Sequence, residues 1–171
     1  LIHNSLKHSK INIADDFDAL RFEITSKLRF CITATYIHPN MTFDDNNLNN
    51  MFNDIGIPCL ITGDFNSSHI NWGSHNSNGR GNTVANFIDN SDYILLNDKT
   101  PTHLNTHGTF SYLDITFCSS SIANLAEWKT ENNLCGSDHF PIIISLFRCS
   151  IDSTGFRPKF RIQDTNWQKY R

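Results

Sequence analysis

This chain lacks the marks of several large protein classes. Its apolar runs fall well short of the roughly 20 residues a membrane helix needs, so no membrane segment is expected. Its five cysteines are odd in number and none sits in a C-x-x-C pair, which indicates neither a thiolate zinc site nor a disulfide scaffold. They lie mostly in apolar runs, where buried free thiols in a reducing compartment are expected. The eight histidines include one H-x-x-x-H spacing, His103 and His107, in a polar Asn- and Thr-containing stretch rather than a helical pattern, and no H-E-x-x-H, so a zinc-hydrolase site is not indicated either. Positive charge is not in excess: the net charge is −3, which argues against a histone-like binder. Internal repeats and low-complexity tracts are missing. So are an initiator Met and a signal-peptide pattern at Leu1-Ile2-His3-Asn4, and the chain reads as a segment of a longer intracellular protein.

What is there describes one ordinary domain. A chain of 171 residues with 39% hydrophobic and 18% charged content is large enough to bury a core. The charge is unevenly spread. Residues 157–171 carry five bases against one acid, while the rest carries nine bases and sixteen acids. Periodicity is lost from Asp152 onward, so we expect a domain over 1–150 and a basic linker over 151–171.

Phe17 to Phe30 alternates apolar and polar residues, the two-residue period of a β-hairpin, with a turn near Thr25-Ser26-Lys27. The second strand continues to Ile37 and stops at His38-Pro39. Residues 43–55 space Phe43, Leu48, Met51, Phe52 and Ile55 as a helix does. Residues 58–62 read as a short apolar strand and 67–82 as a long polar loop, a length that usually signals function. A helix is expected over Thr83–Asp89, capped by Asn82 or Thr83. Strands are expected over 93–96, 109–118, 125–129 and 140–147. Many strands with only two short helices predict an α+β two-layer sandwich rather than a doubly wound parallel sheet.

Chemistry-bearing residues fall at the ends of the apolar runs. Asp64 and Asn66 follow Cys59-Leu60-Ile61-Thr62, Asp114 interrupts Tyr112-Leu113-Asp114-Ile115, and Asp138-His139 precedes Phe140-Pro141-Ile142. Such groups are rarely needed for packing, and open sheets hold their chemistry at strand ends. Together with Tyr36 they form the set a phosphodiester hydrolase requires: groups to orient water, offset phosphoryl charge and stabilise the leaving oxygen. Two residues apart in extended chain, Asp64 and Asn66 share a face. A carboxylate in an apolar run needs a partner, and His139 is the natural one for Asp114. A carboxylate beside an imidazole orients the ring and favours its cationic form. Taken singly, each residue has a plainer explanation as a turn, cap, core histidine or edge charge. Taken jointly, at separate strand ends, those explanations are poor.

Three segments carry a resemblance. Ile61-Thr62-Gly63-Asp64-Phe65-Asn66, Ser111-Tyr112-Leu113-Asp114-Ile115-Thr116 and Gly136-Ser137-Asp138-His139-Phe140-Pro141-Ile142 are similar to the last motifs of the endonuclease/exonuclease/phosphatase superfamily. Ala34-Thr35-Tyr36-Ile37-His38-Pro39 resembles its tyrosine strand. Trp72-Gly73-Ser74, Asn78-Gly79-Arg80-Gly81, Leu95-Leu96-Asn97-Asp98 and Pro101-Thr102 resemble the apurinic-type endonuclease domain of non-LTR retrotransposons of the jockey and I-element kind. The resemblance spans about residues 15–148. It implies a four-layer α/β/β/α fold and a Mg²⁺- or Mn²⁺-dependent endonuclease that nicks DNA in the nucleus, leaving a 3′-hydroxyl that primes reverse transcription. It implies element RNA and a polymerase domain in cis as partners.

By the same resemblance Asp64 activates water, Asn66 binds the scissile phosphate, and His139 offsets phosphoryl charge with Asp114 orienting it. Tyr36 faces the phosphate or leaving oxygen. Asp138 and Asp64 serve the metal, and His69, Trp72 and Ser111 join Asn66 in contacting substrate. The departure is upstream. The family's Asn strand and metal-binding Glu strand have no counterpart before Tyr36, and Glu23 lacks their context. The N-terminal strands and the principal Mg²⁺ ligand are therefore expected to be absent, leaving this piece weak or inactive alone. A decayed, non-catalytic nucleic-acid-binding remnant and another phosphoesterase of the superfamily remain as alternatives.

Overall fold

The computed structural model describes residues 2–11, 18–25, 28–52 and 55–146. The expected basic linker over 151–171 lies outside the described residues, as does most of the turn at 25–27. The expected hairpin forms: β2 (Asp18–Thr25) pairs antiparallel with β3 (Arg29–Tyr36). An exposed strand that alternation had not revealed, β1 (Lys7–Ile11), lies along the edge of β2. Next come helix α1 (Asp45–Phe52) and strand β4 (Cys59–Asp64), which returns parallel to β3. After a 3₁₀ turn at Ile70–Trp72 come helix α2 (Gly79–Asp89) and strand β5 (Tyr93–Leu95). Strands β6 (His103–Leu104) and β7 (Phe110–Ser111) form a small hairpin, followed by strand β8 (Asp114–Ser119) and helix α3 (Ser120–Ala123). Strands β9 (Ala126–Thr130) and β10 (Ile142–Leu146) close the described fold as an antiparallel pair.

The six-stranded sheet runs β1-β2-β3-β4-β8-β5. On one face α1 and α2 cover Cys31, Ile61 and Phe117. Phe52, Phe65, Phe87, Tyr93 and Phe117 pack there with ring centroids 5.2–6.2 Å apart, the tilted and edge-on range that aromatic quadrupoles favour. On the other face Ala126, Ile144 and Leu146 of the β9–β10 pair pack against Leu60, Cys118 and Ile32. Trp128 Nε1 reaches through to donate to Thr116 Oγ1 at 3.1 Å. The result is the expected α+β sandwich, with a second sheet of two strands among the described residues.

Three expectations are corrected. The anticipated single strand over 109–118 breaks into β7 and β8, because buried Thr102 accepts hydrogen bonds at its Oγ1 from both Leu113 N and Asp114 N at 3.0 Å and turns the chain there. Helix α2 starts at Gly79, four residues before the expected start. Asn78 Oδ1 accepts from Gly81 N at 2.7 Å, so the cap outweighs two glycines of poor helix propensity. Cys31 and Cys59 are not free thiols. They are register partners on adjacent parallel strands and are joined as a disulfide, while Cys118 is buried and free. A separation of 28 residues hides that pairing from any local reading.

Candidate active site

Register builds the site. Tyr36 pairs with Asp64 across β3–β4, and Asp64 pairs with Asp114 across β4–β8. Paired residues on adjacent strands point to the same side. Stepping back by two along these strands gives Ala34, Thr62 and Thr116, then Ile32, Leu60 and Cys118. Leu60, Cys118 and Ile32 face the β9–β10 pair, so Tyr36, Asp64 and Asp114 stand in a row at the rim of that same interlayer face. The close approach of β3 and β4 requires Gly63: a Cβ there would lie 1.8 Å from Thr35 O.

Asp64 is held by its own downstream turn. Its Oδ1 accepts from Asn66 N at 2.9 Å and its Oδ2 from Asn66 Nδ2 at 3.0 Å. Asn66 lies beyond the strand with φ 47°, the left-handed conformation that Asn tolerates, so it returns to Asp64 by a turn and not by strand periodicity. Burial, with the nearby charge of Asp114, raises the Asp64 carboxyl above its usual range against the opposing pull of the Asn66 bonds and of His139.

His139 closes the row from a different segment. Its Nδ1 lies 2.8 Å from Asp114 Oδ2, with the two side chains 31% and 13% exposed. Asp114 is fixed in turn by its own backbone: Thr102 Oγ1 holds its N–H, and Asn97 Nδ2 donates to its carbonyl at 2.9 Å while Asn97 Oδ1 accepts from Thr116 N at 2.8 Å. Asn97 and Thr102 are supporting residues that the sequence reading did not single out as site residues. Their signal lay in segments read only as family landmarks.

The remaining expected residues divide. Tyr36 is 42% exposed, its ring edge-on to His38. The Asp138 side chain is 70% exposed, with the Nε2 of His103 at 3.7 Å. Ser111 Oγ shares a 2.7 Å hydrogen bond with His103 Nδ1. His69 accepts from Asn71 N at 3.1 Å, capping the 3₁₀ turn, and its ring lies 5.1 Å from that of Trp72. Trp72 does not reach a surface. It is fully buried and donates from Nε1 to Ser67 O, so it supports the loop from within and is corrected from substrate contact to core. The resemblance of Trp72-Gly73-Ser74 to the retrotransposon domains does not encode which way the ring turns.

His103 is the missed side chain of the site. Its ring centroid lies 4.7 Å from that of His139, and the two residues form an isolated β-bridge. Only the fold brings them together. Arg80 belongs to the Asn78-Gly79-Arg80-Gly81 segment. Its guanidinium donates to the carbonyls of His38 and Pro39 at 3.0 Å, Met41 at 2.6 Å and Phe65 at 2.7 Å, which ties α2 to the ends of β3 and β4. Gly81 lets that helix approach, since a Cβ would lie 1.9 Å from Ser68 O.

Two clefts are lined by neither Asp64 nor His139. One of about 340 Å³ lies between the 68–78 loop and Ser111 and Tyr112, and one of about 730 Å³ includes Leu104, Phe110, Leu134 and Phe140.

The carboxylates do not form a cage of the kind Mg²⁺ demands. Both oxygens of Asp64 are bonded to Asn66 and Asp114 is engaged by His139. Glu23 is paired twice with Arg29, at 2.8 and 3.0 Å, and its register partner is Cys31, five residues along β3 from Tyr36. Asp18, the register partner of Tyr36, is an exposed carboxylate at the same rim.

A mixed six-stranded sheet with helices on one face and a second sheet on the other is the endonuclease/exonuclease/phosphatase-like fold. Over 83% of its length the chain matches 67% of the endonuclease domain of TRAS1, a telomere-specific non-LTR retrotransposon, with a TM-score of 0.74 and 19% identity. A mannosyl-6-phosphatase of Bacteroides thetaiotaomicron shares the fold more loosely, with a TM-score of 0.51 and 14% identity over 75% of this chain and 56% of that one. The chain belongs to the endonuclease–reverse transcriptase family, whose sequence profile matches residues 30–143. It is 28% identical over 115 residues to a probable RNA-directed DNA polymerase from the transposon X-element of Drosophila melanogaster, covering 66% of this chain. It spans 13% of that relative's length. Among the described residues, no helix is long and apolar enough to cross a membrane.

Proposed function

We propose that this chain is the endonuclease portion of a non-LTR retrotransposon polyprotein, and that its site hydrolyses one phosphodiester of target DNA to leave a 3′-hydroxyl. The observation that carries this reading is the 2.8 Å contact between Asp114 and His139 beside Asp64, three residues drawn from separate segments into one row. DNA is the substrate, with element RNA and the polymerase domain acting in cis, and the reaction takes place in the nucleus.

The chemistry follows from the donors present. Asp64, ionised, accepts a proton from a water positioned in line with the phosphorus. Asn66 holds Asp64 in place, and its side-chain amide, which donates to Asp64 Oδ2 and to Ile37 O, reaches a phosphoryl oxygen by giving up the longer bond to Ile37. His139, oriented through Nδ1 by Asp114, presents its other ring nitrogen to the phosphoryl charge. Tyr36, exposed at the end of the row, faces the phosphate or leaving oxygen. Asp138, largely exposed, is the carboxylate most free to join a metal or water network. Ser111 and His69 border the loop along which DNA would lie. A divalent cation, Mg²⁺ or Mn²⁺, would supply further neutralisation of phosphoryl charge when bound. The sequence before Tyr36 has no match to the family's Glu-bearing strand, which favours a second reading, a non-catalytic nucleic-acid-binding module.

Nicking of supercoiled plasmid separates the two readings. A longer chain carrying the family's Glu-bearing strand should nick in Mg²⁺ or Mn²⁺, and a polymerase should extend the resulting end. Asp64→Ala and His139→Ala should each lower the rate by about 10²-fold or more with unchanged circular dichroism. Activity that survives both substitutions would refute the assigned roles. DNA binding by that longer chain without any cleavage would support the non-catalytic module.

A further inference from the structure

Beside the proposed hydrolytic row lies a cluster with a different donor chemistry. His103, Asp138 and His139 each place one potential ligand atom within 4.8 Å of the other two. His103 Nε2 and Asp138 Oδ2 are already 3.7 Å apart. Two ligands held at ~2.0–2.1 Å in tetrahedral geometry lie about 3.3 Å from each other, so only a small closing movement separates this cluster from a three-ligand site.

The rings are pre-oriented as well as close. Asp114 Oδ2 takes the Nδ1 side of His139 at 2.8 Å, and Ser111 Oγ takes the Nδ1 side of His103 at 2.7 Å. With Nδ1–H donated in each ring, the lone pair sits on Nε2, the tautomer a metal needs. A carboxylate or hydroxyl behind a ligating imidazole also raises its basicity and fixes its plane. The third donor, Asp138, has a carboxylate that is 70% exposed and open to an incoming ion. Backbone bonds fix the frame. Leu104 N donates to Asp138 O at 2.8 Å, and Phe140 N donates to Thr102 O at 2.8 Å.

We propose that His103, Asp138 and His139 form a binding site for a borderline d-block dication, Zn²⁺ above all, with water completing a tetrahedral shell. Two imidazoles and one carboxylate suit Zn²⁺ and Co²⁺ and disfavour Mg²⁺, which demands oxygen ligands. This site does not depend on the nuclease reading. One consequence does rest on it: an ion on His139 Nε2 competes with a phosphate for the same nitrogen.

Calorimetric titration of this chain with Zn²⁺, without DNA, should give one site. Co²⁺ should give the ligand-field absorption of a four-coordinate ion. His103→Ala and Asp138→Asn should each weaken Zn²⁺ at least about tenfold, and Cys135→Ser, which removes the exposed thiol, should leave affinity unchanged. Thermal melts of the metal-free variants show whether each remains folded. If His103→Ala folds no better than a broken chain, Asp138→Asn, on an exposed side chain, still decides. Absence of both heat and absorption, or full affinity in folded Asp138→Asn, would overturn the assignment.

Discussion

At the scale of the residue, the site depends on how each charged group is offset. Asp64 is only partly compensated: Asn66 supplies two donors, yet burial and the neighbouring Asp114 leave its carboxyl raised above the ordinary value of 3.8. A base must be ionised to act, so the acid limb of the pH–kcat/KM profile of the longer nicking chain should lie above an ordinary aspartate pKa. The effect on stability has the opposite sense. Because the folded pKa exceeds the unfolded one, the contribution of Asp64 to stability is present at acid pH and is lost as pH rises through the folded value. Melting temperatures of Asp64→Asn should therefore improve relative to wild type between acid and neutral pH, and an acid limb at the ordinary carboxylate value would contradict the account.

At the scale of the element, capping and close approach decide where segments begin and how near they come. Helix α2 carries glycines at 79 and 81 in its first turn, a poor start by propensity. Asn78 compensates, accepting from Gly81 N at 2.7 Å and from Ser68 N at 3.3 Å, so one amide caps the helix and pins the preceding loop. Asn78→Ala should cost about 1 kcal/mol and lower the melting temperature by about 2–4 °C in scanning calorimetry. A loss within error would mean that water replaces the cap. The β7–β8 break shows the same principle: an apolar run readable as one strand is divided because Thr102 bonds two successive backbone amides.

At the scale of the whole molecule, Arg80 is the tie between layers and site. Five carbonyls from the chain just beyond β3 and β4, those of Ile37, His38, Pro39, Met41 and Phe65, converge on its guanidinium, and its contact with the Phe43 ring lies at 5.0 Å. Burial lowers its pKa, and the charge of Asp64 opposes that shift. Arg80→Met keeps the stem but orphans those carbonyls, and should destabilise by about 3 kcal/mol, read from the urea midpoint. A cost near that of an ordinary surface arginine would show that solvent satisfies the carbonyls instead.

Much of this was legible in the chain alone. Period-two alternation located the β2–β3 hairpin, helical spacing located α1, and Asp64, Asp114 and His139 stood out after, within and before apolar runs, because strand and helix periodicity are local properties of backbone geometry. Local signals could not reveal the partner of Cys31, the inward turn of Trp72 or the exposed edge strand β1. Nor could they bring His103 to His139, 36 positions apart in number and joined by an isolated bridge. The amino-acid sequence by itself determined which residues stand at strand ends and what chemistry they can offer. The tertiary structure decided which of them meet, because register across β3, β4 and β8 and the return of the 137–139 segment depend on non-local hydrogen bonds that no window of neighbouring residues encodes.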